Sequence, residues 1–191
     1  MKSDIVIAGV GGQGVVSIAV IIASSAMEEG LQVKQAEVHG MSQRGGAVQS
    51  NLRLADGPIH SDIVPKGRAD LVIAMEPLES LRYVDYLSPE GTLFTSMEPV
   101  LNIPDYPPLN DLLAKVRELP QAVLVDARAL ATEAGATRAT NMVMVGAASH
   151  HLPIKPETIQ KLIRSMFARK GDKVVSANLR AFELGREIHP S

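Results

Sequence analysis

The stretch Asp4-Ile5-Val6-Ile7-Ala8-Gly9-Val10-Gly11-Gly12-Gln13-Gly14 decides the fold. Its first half is short, β-branched and non-alternating, which marks a strand buried on both faces of a parallel sheet. Glycines follow at once. The next segment, 15–29, has helical length and is apolar around most of its circumference, so it belongs against a sheet with little exposed face. Gly30 is placed to cap its C-terminus. Residues 31–38 read as a second strand. Strand, glycine turn, helix and strand make one right-handed βαβ unit.

Working outward, residues 47–55 alternate at Val48, Ser50, Leu52 and Leu54 and predict a half-exposed strand. Asp56-Gly57 is a turn signal, with 58–60 returning as a hairpin. A buried strand at 69–75 leads into a helix at 77–87 with Pro77 in its first turn. A strand at 91–96 follows. Pro99, Pro104, Pro107 and Pro108 mark 100–108 as a loop over one sheet edge. An amphipathic helix at 109–119 and a strand at 122–126 complete this part. Beyond it the chain turns helical, over 127–134, 141–151, 155–169 and 174–188, punctuated by Gly135, Pro153 and Gly171. The expected fold is α/β: a Rossmann-like open, mainly parallel sheet with helices on both faces and a helical C-terminal third. One domain over 1–191 is expected, with an α/β core at 1–126 and a helical part at 127–191.

The 191 residues are 46% hydrophobic, enough for a sizeable core. The net charge of −2 offers no general attraction for nucleic acid or anionic lipid. Three Tyr, three Phe and no Trp make base-stacking platforms unpromising. The absence of cysteine excludes a disulfide, a thiol nucleophile and thiolate-held zinc or iron–sulfur clusters in this chain. It also fits a reducing, cytoplasmic setting. No signal peptide is expected, and the longest apolar run, interrupted by Ser17, Ser24 and Ser25, falls short of the roughly 20 residues of a membrane span.

Gly9-x-Gly11-x-x-Gly14 lies between strand and helix, the context of a dinucleotide fingerprint. Small residues let a ligand approach the backbone, and the helix N-terminus offers free N–H groups. Glu37 follows about 20 residues later, where a ribose-binding acid would stand. The pattern admits three readings: an NAD(P)-dependent dehydrogenase, a nucleotide-sensing module, or a tight turn with an anion-friendly mouth.

Gly11-Gly12-Gln13-Gly14 is joined by a second element, Glu37-Val38-His39-Gly40-Met41-Ser42-Gln43-Arg44-Gly45-Gly46. Together they resemble the γ-type domain of the 2-oxoacid:ferredoxin oxidoreductases, and within that family the small subunits of the indolepyruvate type. The resemblance runs the length of the chain, through Ala74-Met75-Glu76-Pro77-Leu78-Glu79-Ser80-Leu81-Arg82, the segment 141–147 and the segment 178–185. Val145 stands where the pattern leads one to expect leucine, a conservative departure. The resemblance implies an accessory subunit of a complex that decarboxylates an aryl 2-oxoacid, transfers the acyl group to coenzyme A and reduces ferredoxin. It implies a larger alpha subunit carrying thiamine diphosphate, Mg and [4Fe-4S] clusters. This chain lacks both cysteine and a thiamine diphosphate signature, so it is expected to be inactive alone.

On that basis Gly9, Gly11, Gly12, Gln13, Gly14, Glu37, Ser42, Gln43, Arg44, Gly45 and Gly46 form one candidate crevice. It would face coenzyme A, the 2-oxoacid or the partner, at the carboxyl ends of the first two strands. Arg44 either forks onto a phosphate or carboxylate or pairs with Glu37 or Glu76 and pins the loop. His39 is the one candidate general base, against the commoner role of a hydrogen-bonded structural histidine. Glu76 and Glu79 suit a helix N-terminus, and Arg82 a surface pair with Glu79. His150 and His151 read as dipole-favoured charges at a helix end, His60 as lacking any ligand companion, and Asn141 as a helix cap before a ligand contact. Met41, Met75, Met142 and Met144 read as packing. An exposed apolar interface also makes a homodimer of the isolated chain plausible.

Overall fold

The computed structural model describes residues 1–40 and 45–188. Strand β1 (Lys2–Val10) exposes only Lys2 within its span, as its unbroken β-branched run requires. Helix α1 (Val15–Glu28) starts at Gly14, whose φ of 88° turns the chain sharply, and Gly30 at φ 81° ends it. Strands β2 (Gln32–His39) and β3 (Ala47–Ala55) follow, then β4 (Ala69–Ala74), helix α2 (Pro77–Arg82), β5 (Leu87–Ser96), helix α3 (Leu109–Arg117) and β6 (Ala122–Val125). Helices α4 (Ala127–Glu133), α5 (Thr140–Ala148), α6 (Pro156–Phe167) and α7 (Asp172–Arg186) complete the order.

The described strands form one sheet in the order β2-β3-β1-β4-β5-β6. β1, β4, β5 and β6 are parallel, and β3 runs antiparallel to both β1 and β2. The expected βαβ unit is therefore split, because β3 inserts between the two strands that α1 connects. β2 and β3 lie side by side as an antiparallel pair, which Gly40 extends by donating its N–H to Ala47 O at 2.9 Å. β3 is buried rather than half-exposed, with Val48, Leu52 and Leu54 packed under α1. Its other face is met by residues 61–64, which follow the segment 58–60 expected to return as a hairpin. That segment is irregular: Asn51 Oδ1 accepts from Val64 N at 3.2 Å, and Arg53 donates to the carbonyls of Ser61 and Ile63.

Two smaller boundaries also move. The helix expected over 77–87 stops at Arg82, and a short 3-10 turn leads straight into β5. The proline-rich loop lies at the carboxyl ends of the strands and not over a sheet edge. There Tyr106 donates to Glu76, and Asn102 Nδ2 donates to Gly45 O at 2.6 Å.

The larger core joins one face of the sheet to α1, α5, α6 and α7. The C-terminal helices thus share the core of the strands. A thinner layer built on Val6, Val72, Leu93 and Val116 lies beneath α2 and α3 on the other face. At the centre α5 crosses α7 with almost no side chain between them. A Cβ on Gly146 would stand 2.1 Å from Phe182 O, and one on Gly185 2.1 Å from Val143 O.

Candidate functional site

The chain leaves β1 towards one face of the sheet and β4 towards the other, which makes the carboxyl ends of these strands a topological switch point. Gln13 closes part of that crevice with its own side chain. Its Oε1 accepts from Val10 N at 2.8 Å and its Nε2 donates to Met75 O at 2.9 Å. Gly9 is equally structural: a Cβ there would meet Val15, Gln13 and Met75 at about 3.0 Å. These two candidate ligand-binding residues clip the glycine turn to the end of β4.

The open space lies to either side. Towards β3, a crevice of about 280 Å³ is lined by Val10, Gly11, Gly12, Gly14, Val16, His39 and Val48. Gly11 N donates to Gly46 O at 2.9 Å, so the two glycine-bearing segments meet, and Asn102 ties Gly45 into the same edge. Ser42, Gln43 and Arg44, with Met41, lie outside the described residues. Glu37 does not line this crevice. It stands two strands from β1 and is engaged by Gln35 Nε2 at 2.7 Å and His39 Nε2 at 3.0 Å. The intervening β3 removes Glu37 from the place a ribose-binding acid needs.

On the other side of Gly14 lies a larger cavity of about 750 Å³. It is lined by Ser17, Arg138, Asn141, Phe167, Lys170 and Asn178 among others. The start of α5 faces it with no side-chain cap and no acid in its first turn. Asn141 is a bridge to Gly14, not the helix cap that its position suggested. Its Oδ1 accepts from Met142 N, while a Cβ on Gly14 would lie 2.8 Å from its Nδ2. Neither Arg138 nor Lys170 has a carboxylate partner among the described residues. A volume of this size, with two cations and two side-chain amides, suits a phosphorylated organic anion. Sequence reading missed Arg138, Lys170 and Asn178. The available signal was a pair of cations placed beside the helix-breaking glycines, Gly135 and Gly171.

A third cluster sits behind the crevice. Glu76 caps α2 by accepting from Glu79 N at 2.8 Å, and it also accepts from Tyr106. The phenol of Tyr106 is pushed up by burial and by that carboxylate. Glu79 is buried, not part of a surface pair. It accepts from Arg82 at 2.8 Å through one oxygen, while the other has no hydrogen-bond partner among the described residues. Burial raises its pKa, the Arg82 charge opposes the rise and the Glu76 charge adds to it. His151 likewise departs from expectation. Its ring stands edge-on to Phe94, and desolvation, followed by His150, lowers its pKa, although the residue still reaches solvent. Met75, Met142 and Met144 are buried packing residues.

This geometry defines an open α/β domain with glycine turns at the carboxyl ends of its strands and a cavity beside them that carries Arg138 and Lys170. Residues 4–188 match the model of the pyruvate ferredoxin/flavodoxin oxidoreductase family, and the chain belongs to it. It is 38% identical to indolepyruvate oxidoreductase subunit IorB of Methanothermobacter thermautotrophicus, over 97% of this chain and 96% of that one. It is also 38% identical to the IorB subunit of Thermococcus kodakarensis, over 95% and 93% of the two chains. Among solved structures, the pyruvate oxidoreductase subunit PORC of Thermotoga maritima superposes with a TM-score of 0.75 at 25% identity. That match covers 97% of this chain and 96% of the other. A 2-oxoglutarate:ferredoxin oxidoreductase from Magnetococcus marinus, whose structure holds 2-oxoglutarate, coenzyme A and succinyl-CoA, shares the fold with a TM-score of 0.77 at 22% identity. It covers 97% of this chain and 30% of that one.

Proposed function

We propose that this chain is the accessory subunit of an indolepyruvate-type 2-oxoacid:ferredoxin oxidoreductase. The observation that carries this reading is the 38% identity to IorB subunits over nearly the whole of both chains. The reaction oxidatively decarboxylates an aryl 2-oxoacid to its acyl-CoA and passes two electrons to ferredoxin. The chain has no cysteine, so thiolate-held [4Fe-4S] clusters belong to a larger partner, together with thiamine diphosphate and Mg. The contribution of this subunit is to bind and orient the anionic end of coenzyme A at the rim of the partner's site. The Arg138 and Lys170 cavity beside Gly14 supports that role, because its cations and amide donors fit phosphate chemistry. The displaced position of Glu37 speaks against a dinucleotide-dependent dehydrogenase.

The test is to purify the chain alone and with a co-expressed larger subunit. Aryl-pyruvate-dependent ferredoxin reduction is expected only when both chains are present. Turnover by the isolated chain, or hydride transfer to NAD(P) without a partner, would overturn the proposal.

A further inference from the structure

The large cavity beside Gly14 is lined by two side-chain amides held in opposite senses. Asn178 in α7 is only 5% exposed. Its Nδ2 donates to Val174 O at 2.8 Å, which only the nitrogen end of an amide can do. Oδ1 is thereby turned the other way, and it has no hydrogen-bond partner among the described residues. Asn141 is fixed the other way round. Its Oδ1 accepts from Met142 N at 3.0 Å, which leaves Nδ2 to donate beside Gly14. Asn178 therefore offers the cavity an acceptor, and Asn141 offers it a donor.

The rest of the lining follows the same division. With Asn141 stand Arg138 and the uncapped start of α5, all of them donors. With Asn178 stand Met166, Phe167 and Val174, an apolar wall. The Lys170 ammonium lies over that wall, 5.3 Å from the centre of the Phe167 ring. A ligand that satisfies both sides carries an anion at one end. At the other it carries a flat body with an N–H donor on its edge, and a second anion within reach of Lys170.

We propose, resting on the coenzyme A role of this subunit, that the cavity takes the nucleotide end of that molecule and that Asn178 reads its base. The adenine lies against the Phe167 wall and its amino group donates to Asn178 Oδ1. The phosphate chain runs to Arg138 and Asn141, and the phosphate on the ribose meets Lys170. Size and charge select this occupant. An aryl 2-oxoacid has one ring and one carboxylate, too little for about 750 Å³ and for two cations on separate elements. The pantetheine arm carries no anion at all. A guanine or hypoxanthine base would set a carbonyl oxygen against Asn178 Oδ1 and leave two acceptors without a proton between them. A site built to accept from the amine rejects the base that lacks it.

The test is calorimetric titration of the chain co-purified with its larger subunit, which reads binding without turnover. Adenosine 3′,5′-bisphosphate should bind, and inosine 3′,5′-bisphosphate about tenfold more weakly. AMP, which dinucleotides share and which lacks the 3′-phosphate, should also bind about tenfold more weakly, and Lys170→Ala should erase that difference. Asn178→Leu should erase the preference for adenine over hypoxanthine. Asn178→Asp, of nearly the same shape and still an acceptor, should keep it. The comparisons made on the native complex hold even where a variant fails to fold. Each of four results would overturn the proposal: no binding of adenosine 3′,5′-bisphosphate, equal binding of its inosine counterpart, equal binding of AMP, or a base preference that survives Asn178→Leu. A complex that reads the base but reduces no ferredoxin overturns the proposed function alone. One that turns over yet ignores the base overturns only the assignment of this cavity.

Discussion

Gln13 occupies the position that a ligand-binding reading of the glycine motif gives to the ligand. A glutamine between glycines looks like a free hydrogen-bonding group, yet its amide is consumed by Val10 and Met75. Gln13→Ala should lower the free energy of unfolding by about 2 kcal/mol, from two lost hydrogen bonds, as read by urea denaturation. An unchanged midpoint would return Gln13 to the ligand. Glu79 makes a prediction of opposite character. A carboxyl whose pKa is raised in the fold holds its proton more tightly there than in the unfolded chain. Its contribution to stability is therefore fully present below the ordinary value of 4.5 and is lost as pH rises through the raised one. Glu79→Gln should lack this loss, so its stability relative to the native chain should climb from pH 4.5 towards neutrality. Urea midpoints measured across that window decide the matter, and a flat difference would refute the assignment.

At the scale of elements, the pairing of α5 with α7 rests on Gly146 and Gly185, where each backbone fills the space a Cβ would need. Gly146→Ala should destabilise the chain by about 3 kcal/mol, because both helices are held by the core and neither can retreat. Gly30→Ala, at a positive φ but in open space, should cost only about 1 kcal/mol by the same urea assay. The join between β1 and β3 offers a comparable test. The Asp4 side chain is fully buried, and Arg53, itself 15% exposed, reaches it with Nε at 2.7 Å and Nη2 at 3.1 Å. Asp4→Ala leaves that guanidinium without its counter-charge and should cost about 3 kcal/mol in thermal or chemical unfolding. The inserted strand β3 was itself visible as an element, with the limits Ala47–Ala55. Its place between β2 and β1 was not. Alternation at Val48, Ser50, Leu52 and Leu54 reports which side chains share a face, and not which neighbours the strand will have.

On the scale of the whole molecule, the large cavity draws Ser17, Arg138, Asn141, Lys170 and Asn178 from regions far apart in the chain. In the assembled enzyme, Arg138→Ala and Lys170→Ala should each raise the KM for coenzyme A about tenfold, the loss of one charge-assisted hydrogen bond. The KM for the 2-oxoacid should stay near its native value. Equal effects on both substrates would point instead to a fault in assembly.

The sequence alone determined the order and type of nearly every element, the glycine turn after β1 and the lack of any thiolate ligand. These follow from properties carried by neighbouring residues: hydrophobic period, β-branching, glycine at positive φ, and composition. Tertiary structure decided the insertion of β3, the closing of the switch point by Gln13, the separation of Glu37 from the glycine turn, and the meeting of Arg138 with Lys170. Each of these depends on which distant segments pack together. That choice is set by the burial of whole faces against one another, a sum over many residues that no local pattern contains.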